Sequence, residues 1–65
     1  MAEATREDIV IKLDQIDTAL EAPDADKAAI LREADTWRRA HPAREDADTL
    51  YFAERLQAIR VRHGA

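Results

Sequence analysis

The sequence has 65 residues, enough for one domain near the lower size limit at which a chain folds alone. Hydrophobic residues make up 46% of it, but 14 of these are alanines and only 16 are large. Each large side chain contributes about 1.5–3 kcal/mol when fully buried, so this core only just balances the entropy lost on ordering the chain. We therefore expect a second copy of the chain, or another partner, to complete the fold.

The residue types that the sequence lacks exclude several classes of function. It contains no cysteine, serine or asparagine, and its one glycine is Gly64. These absences exclude disulfide frameworks, thiolate metal sites, serine triads and glycine-rich phosphate loops. No apolar run approaches the ~18 residues of a membrane span, and the acidic first residues do not resemble a signal region. The sequence predicts a cytoplasmic protein without membrane contacts, and eight arginines against two lysines favour a bacterial or phage origin.

The first helix is predicted over residues 6–21. Thr5 is followed three residues later by Asp8, which is the pattern of a capping box at a helix start. Apolar residues then follow at spacings of 4, 3 and 4, which places them on one face of a helix. This stripe consists of Ile9, Leu13, Ile16 and Leu20. Pro23 ends the helix near residue 21.

A second helix is predicted over about residues 25–40. Either Asp24 or Asp26 can cap its start, and Pro42 disfavours helical geometry at the residue before it. Its apolar stripe consists of Ile30, Leu31, Ala34 and Trp37. In this register Trp37 is most simply a core residue, with the role of an interface anchor as the alternative.

The third helix is predicted over about residues 44–62, with Asp48 and Thr49 as competing caps. Its main stripe consists of Phe52, Leu56 and Ile59. No segment alternates with period two over a useful length, so no strands are expected. The sequence thus predicts a single all-α domain over residues 1–65. Its architecture is an up-down-up three-helix bundle that oligomerisation can complete, with the first and third helices parallel.

The charges are distributed unevenly along the chain. Residues 1–26 carry a net charge of −6 and residues 27–65 carry +2, in a chain of −4. Three acidic residues share one side of the first helix, namely Asp14, Asp17 and Glu21. In a parallel arrangement they face Arg60 and Arg62, which predicts charge pairing within the chain. The alternative is an acidic surface that occupies a basic groove of another protein, as a DNA-mimicking inhibitor does.

Nucleic-acid binding is a third and weaker hypothesis. The second and third helices can be drawn as a helix-turn-helix, but the recognition helix would lead with Glu45, Asp46 and Asp48. These carboxylates would face phosphates. A basic patch remains on the third helix, made of Arg55, Arg60, Arg62 and His63. We therefore do not expect a nucleic-acid partner.

No residue pattern indicates catalysis or a metal site. The pairs Asp24 with Asp26 and Asp46 with Asp48 fall at predicted helix starts, where aspartate caps are common. The two histidines, His41 and His63, are 22 positions apart with no metal-binding motif around them. We expect no enzymatic activity, no cofactor, no metal and no small-molecule substrate.

Apolar residues are left over once the three stripes are filled. Ile11 lies off the stripe of the first helix, and the third helix carries a second apolar line beside its main one. We assign four of these residues to a protein interface: Ile11, Leu50, Tyr51 and Val61. The second line can instead belong to the core if the third helix touches two neighbours. The leading hypothesis is a non-enzymatic interaction module that forms a homodimer and acts by occupying a partner's surface.

Overall fold

Three α-helices dominate the computed structural model, which describes residues 3–65. They are α1 (Arg6–Glu21), α2 (Lys27–Ala40) and α3 (Asp46–His63). Throughout the described residues no β-strand is formed, so the predicted all-α three-helix fold is confirmed. Within the same residues, no helix combines the length and the apolar character that crossing a membrane requires.

Helix α1 has the predicted bounds, and both halves of its capping box are formed. The Asp8 backbone N–H donates to Thr5 Oγ1 over 3.2 Å, and the Thr5 backbone N–H donates to Asp8 Oδ2 over 3.0 Å. The two bonds satisfy donors that would otherwise have no partner at the helix start. The predicted apolar stripe forms the buried face of this helix: Ile9, Leu13, Ile16 and Leu20.

Because of the capping box, the free energy of unfolding depends on pH in the acid range. Hydrogen bonds from the Thr5 backbone, and then from its side chain, lower the pKa of Asp8. A carboxyl group whose pKa is lower in the folded state stabilises the fold above its unfolded pKa, and this stabilisation is lost as pH falls through the folded pKa. We expect Asp8→Asn to weaken the acid dependence of urea unfolding between about pH 2 and pH 6. The exposed neighbour offers a control, because Glu7→Gln is expected to leave that dependence in place.

Helix α2 begins two residues later than predicted, at Lys27. The backbone N–H of Ala25 donates to the Ala22 carbonyl and forms a turn, so residue 25 lies outside the helix. Of the two candidate caps, the structure uses Asp26, whose carboxylate accepts from the Ala29 backbone N–H over 3.1 Å. The predicted end of the helix at residue 40 is confirmed.

The segment that precedes α1 pairs with the connector between α2 and α3. The Ala4 backbone N–H donates to the Pro42 carbonyl over 2.9 Å, and the Arg44 N–H donates to the Ala4 carbonyl over 3.0 Å. Together they form a single isolated parallel bridge between Ala4 and Ala43. Because these bonds hold Arg44 against Ala4, this residue lies outside the helix that was predicted to include it.

Helix α3 therefore begins at Asp46, two residues later than predicted. Its N-cap is Glu45, whose side chain makes no capping bond, so the prediction that Asp48 or Thr49 caps this helix is wrong. The helix ends one residue later than predicted, because Gly64 adopts a left-handed φ of 67° that favours glycine.

Helix α1 is the central helix and packs against both α2 and α3. Ion pairs fix the direction of α3, because Arg6 meets Asp48 near the helix starts and Asp17 meets His63 near the ends. This parallel arrangement of α1 and α3 was predicted. Within residues 3–65, no Cα atom of α2 lies within 8 Å of a Cα atom of α3. A groove therefore separates these two helices.

Candidate interaction surface

The outer face of α3 carries two large aliphatic residues. Leu50 is 61% exposed and Val61 is 70% exposed. They lie 11 residues apart, which is about three helical turns, so both point to the same side of the helix. That side is opposite Phe52 and Ile59, which are buried against the rest of the bundle. The second apolar line of α3 thus faces away from the chain's own core.

The other two predicted interface residues lie elsewhere. Ile11 is 51% exposed and lines a groove between α1 and α2, beside Trp37. Tyr51 is half-buried and packs against the core, with the Arg6 guanidinium 3.9 Å above the centre of its ring. The structure therefore brings only Leu50 and Val61 together on one face.

Trp37 lies mostly in the core, as its helical register predicts. It is half-buried, and its ring stacks on Phe52 with a centroid distance of 5.9 Å and on His41 with a centroid distance of 4.9 Å. The Lys12 ammonium lies 5.9 Å from the same ring. These contacts leave part of the indole at the surface, next to Ile11.

The acidic side of α1 is largely paired within the chain. Arg62 Nη2 lies 3.1 Å from Asp17 Oδ1 and 3.0 Å from Glu21 Oε1, which realises one of the two predicted pairings. The side chain of Arg60 instead lines the groove between α2 and α3. Asp14 is exposed and forms no ion pair with any of residues 3–65. Only one of the three predicted carboxylates is therefore free.

His63 also belongs to this cluster, and its pairing with Asp17 was not predicted from the sequence. His63 Nε2 lies 2.6 Å from Asp17 Oδ1, and ligand atoms of Asp17, Glu21 and His63 all fall within 4.8 Å of one another. Such a set could approach a divalent cation. However, the Arg62 guanidinium already binds both carboxylates, and Lys27 Nζ donates to the His63 carbonyl over 2.7 Å. The cluster is therefore explained as an ion-pair network between α1 and α3.

A second unpredicted pair joins the other ends of α1 and α3. Arg6 Nε donates to Asp48 Oδ1 over 2.7 Å, and Asp48 is only 6% exposed. The sequence suggested a capping role for Asp48. Its distance of 42 residues from Arg6 gave no local signal, although the predicted parallel alignment places the two helix starts side by side.

Comparisons with protein-family models, with curated protein sequences and with solved structures give no match. The fold defines the chain as a small all-α three-helix protein. Any function has to be inferred from its own surface.

Proposed function

We propose that the protein is a non-enzymatic protein–protein interaction module that associates with a second copy of itself through the outer face of α3. The exposure of Leu50 and Val61 on one side of that helix is the observation that supports this most. An outward pair of large aliphatic residues is better explained by a partner than by the chain's own core, which the rest of α3 already completes. The dimer would then present its remaining surface to a further protein, in a cytoplasmic setting compatible with the cysteine-free composition.

The spacing of the exposed residues suits an antiparallel pair of α3 helices. A two-fold axis between Glu54 and Gln57 would place Leu50 of one copy opposite Val61 of the second copy, and the reverse. The same register sets Glu54 against Gln57 of the second copy, where the amide can donate to the carboxylate. Each aliphatic residue then contacts an aliphatic residue of the second copy, and Glu54 does not lie opposite Glu54 of the second copy.

The proposed association is weak enough to depend on concentration. Two Leu–Val contacts bury four side chains that are only partly exposed beforehand, each worth about 1.5–3 kcal/mol at most. Association removes translational and rotational freedom at a cost of about 4–15 kcal/mol. The balance predicts a dimer that forms at high concentration and dissociates on dilution.

Two variants test both the contact and its direction. Leu50→Asp with Val61→Asp places like charges opposite each other in either orientation, so we expect a monomer that stays helical. Leu50→Asp with Val61→Lys pairs opposite charges in the antiparallel arrangement but like charges in a parallel one. We therefore expect only this second variant to retain association. Light scattering after size exclusion, over a concentration series, measures the mass.

A matched control adds two acidic residues at a distance from α3. Gln15→Asp with Thr18→Asp changes two exposed positions of α1 and should leave the association unchanged. Unfolding of the Leu50→Asp, Val61→Asp variant would place these residues in the core and contradict the proposal. A wild-type chain that stays monomeric at every concentration would also contradict it.

The two alternatives receive less support from the contacts. An acidic inhibitor would have to use Asp17 and Glu21, which Arg62 already binds. A nucleic-acid binder would have to use the arginines of α3, but Arg62 is engaged in those pairs. Arg55 and Arg60 are five residues apart and point to different sides of the helix, so they do not form one patch.

A further inference from the structure

The groove between α2 and α3 has an apolar floor. Leu31 of α2 and Leu56 of α3 are half-buried along it, and the buried ring of Phe52 lies at its base. The part of the groove beside Phe52 and Leu56 has a volume of about 360 Å³. Because no Cα atom of α2 lies within 8 Å of a Cα atom of α3 among residues 3–65, the surface between the two helices leaves room for an added element.

Contacts between α2 and α3 close both ends of the groove. The stacked rings of Trp37 and Phe52 close one end, and the hydrogen bond from Lys27 Nζ to the His63 carbonyl closes the other. The 11 residues from Phe52 to His63 span about 16 Å, or three helical turns. The groove is therefore long enough to hold three turns of a helix along its floor.

The groove is basic in an otherwise acidic protein. Arg38 and Arg60 line the part beside Phe52 and Leu56. An adjoining depression along α2 shares Arg60 and is also lined by Arg32, Asp35 and Arg39. Their net charge is +3 in a chain of −4, so all the other residues together carry −7. Asp35 pairs with Arg38 and Arg39, whereas Arg60 has no ion pair with residues 3–65. A net positive charge in one groove steers an acidic ligand toward it.

We propose that this groove binds an amphipathic helix of a different protein, with an apolar stripe flanked by acidic residues. The stripe contacts Leu31 and Leu56, and the flanking carboxylates meet Arg38 on one wall and Arg60 on the other. Docking of an amphipathic helix into an apolar groove is a general mode of peptide recognition. Neither Leu50 nor Val61 lines this groove, so the site is separate from the proposed self-association surface.

A second copy of the chain does not fit this groove. Its acidic helix is α1, whose apolar stripe is already buried in its own core. Nucleic acid is also a poorer occupant, because a charged phosphate backbone makes no favourable contact with the apolar floor.

The test uses a synthetic helical peptide of about 12 residues, or three turns, with leucines at a spacing of three and four and glutamates on both flanks. We expect fluorescence anisotropy to show binding that weakens with salt. Arg38→Glu with Arg60→Glu should weaken it by about tenfold or more. Arg44→Glu with Arg55→Glu makes the same charge change outside the groove and should have a small effect.

A second variant changes the groove without removing any arginine. Thr49→Glu with Ala53→Glu adds carboxylates at two exposed positions of α3 on the groove side and should also reduce binding. Equal binding by the Arg38/Arg60 and Arg44/Arg55 variants would overturn the proposal. So would absence of binding to folded wild-type protein, or groove-dependent binding of a single-stranded oligonucleotide in place of the peptide.

Discussion

Phe52→Ala is expected to leave much of the protein unfolded at room temperature. Phe52 is only 2% exposed and is the largest fully buried side chain of the described residues. Truncation of a buried phenylalanine costs about 3–5 kcal/mol. A 65-residue domain has only about 3–10 kcal/mol of stability in total. The same change removes the ring on which Trp37 stacks, so this contact between α2 and α3 is also lost.

Circular dichroism during urea and thermal unfolding measures this loss. Leu50→Ala is the matched control, because it truncates an aliphatic residue of the same helix at an exposed position. At concentrations where the chain is monomeric, we expect this control to change stability by less than about 0.5 kcal/mol. A Phe52→Ala variant that unfolds at the same urea concentration as the wild type would show that the core does not depend on this ring.

The parts of the fold that could be predicted are those with a local physical cause. In α1, the capping box of Thr5 and Asp8 and the stripe that begins at Ile9 are both written within a few residues, and both were predicted correctly. Prolines at 23 and 42 separate the helices for a reason that is equally local. The parallel direction of α1 and α3 then follows from the short connections between three helices.

The start of α2 was misplaced because a local turn at Ala22 and the Asp26 cap decide it, whereas the start of α3 depends on a non-local bond. Arg44 is kept out of α3 by a hydrogen bond to Ala4, forty residues earlier in the chain. No propensity at Arg44 itself reveals that bond. The role of Asp48 was mispredicted for a similar reason, because its partner Arg6 is on another helix. From sequence alone, an aspartate near a helix start cannot be distinguished from a cap.

For the predicted interface residues, too, exposure could be predicted only where its cause is local. Leu50 and Val61 could be predicted as exposed, because each lies opposite the main stripe of its helix. Tyr51 lies between the two lines, and only the position of Arg6 above its ring shows that it is partly covered. The basic groove could not be predicted, because it depends on how far apart α2 and α3 lie.

Arg6→Ala is expected to destabilise the fold more than the loss of any other single exposed charge. Arg6 is half-exposed, but its partner Asp48 is buried and would be left without a cation. An unsatisfied buried polar group costs about 1–3 kcal/mol. Arg6→Lys keeps the positive charge but not the planar group above Tyr51, so we expect an intermediate loss. Arg55→Ala removes an exposed arginine that forms no ion pair within residues 3–65 and should have little effect.

A double-mutant cycle with Asp48→Ala separates the ion pair from the packing of Arg6. If the buried carboxylate causes the loss, the double variant should be more stable than the sum of the single losses implies, by about 0.5–3 kcal/mol. Additive losses would mean instead that Arg6 acts through its stacking on Tyr51. In that case the starts of α1 and α3 would be joined by aromatic packing, and Asp48 would tolerate burial without its partner. Urea unfolding of the four proteins under identical conditions distinguishes the two outcomes.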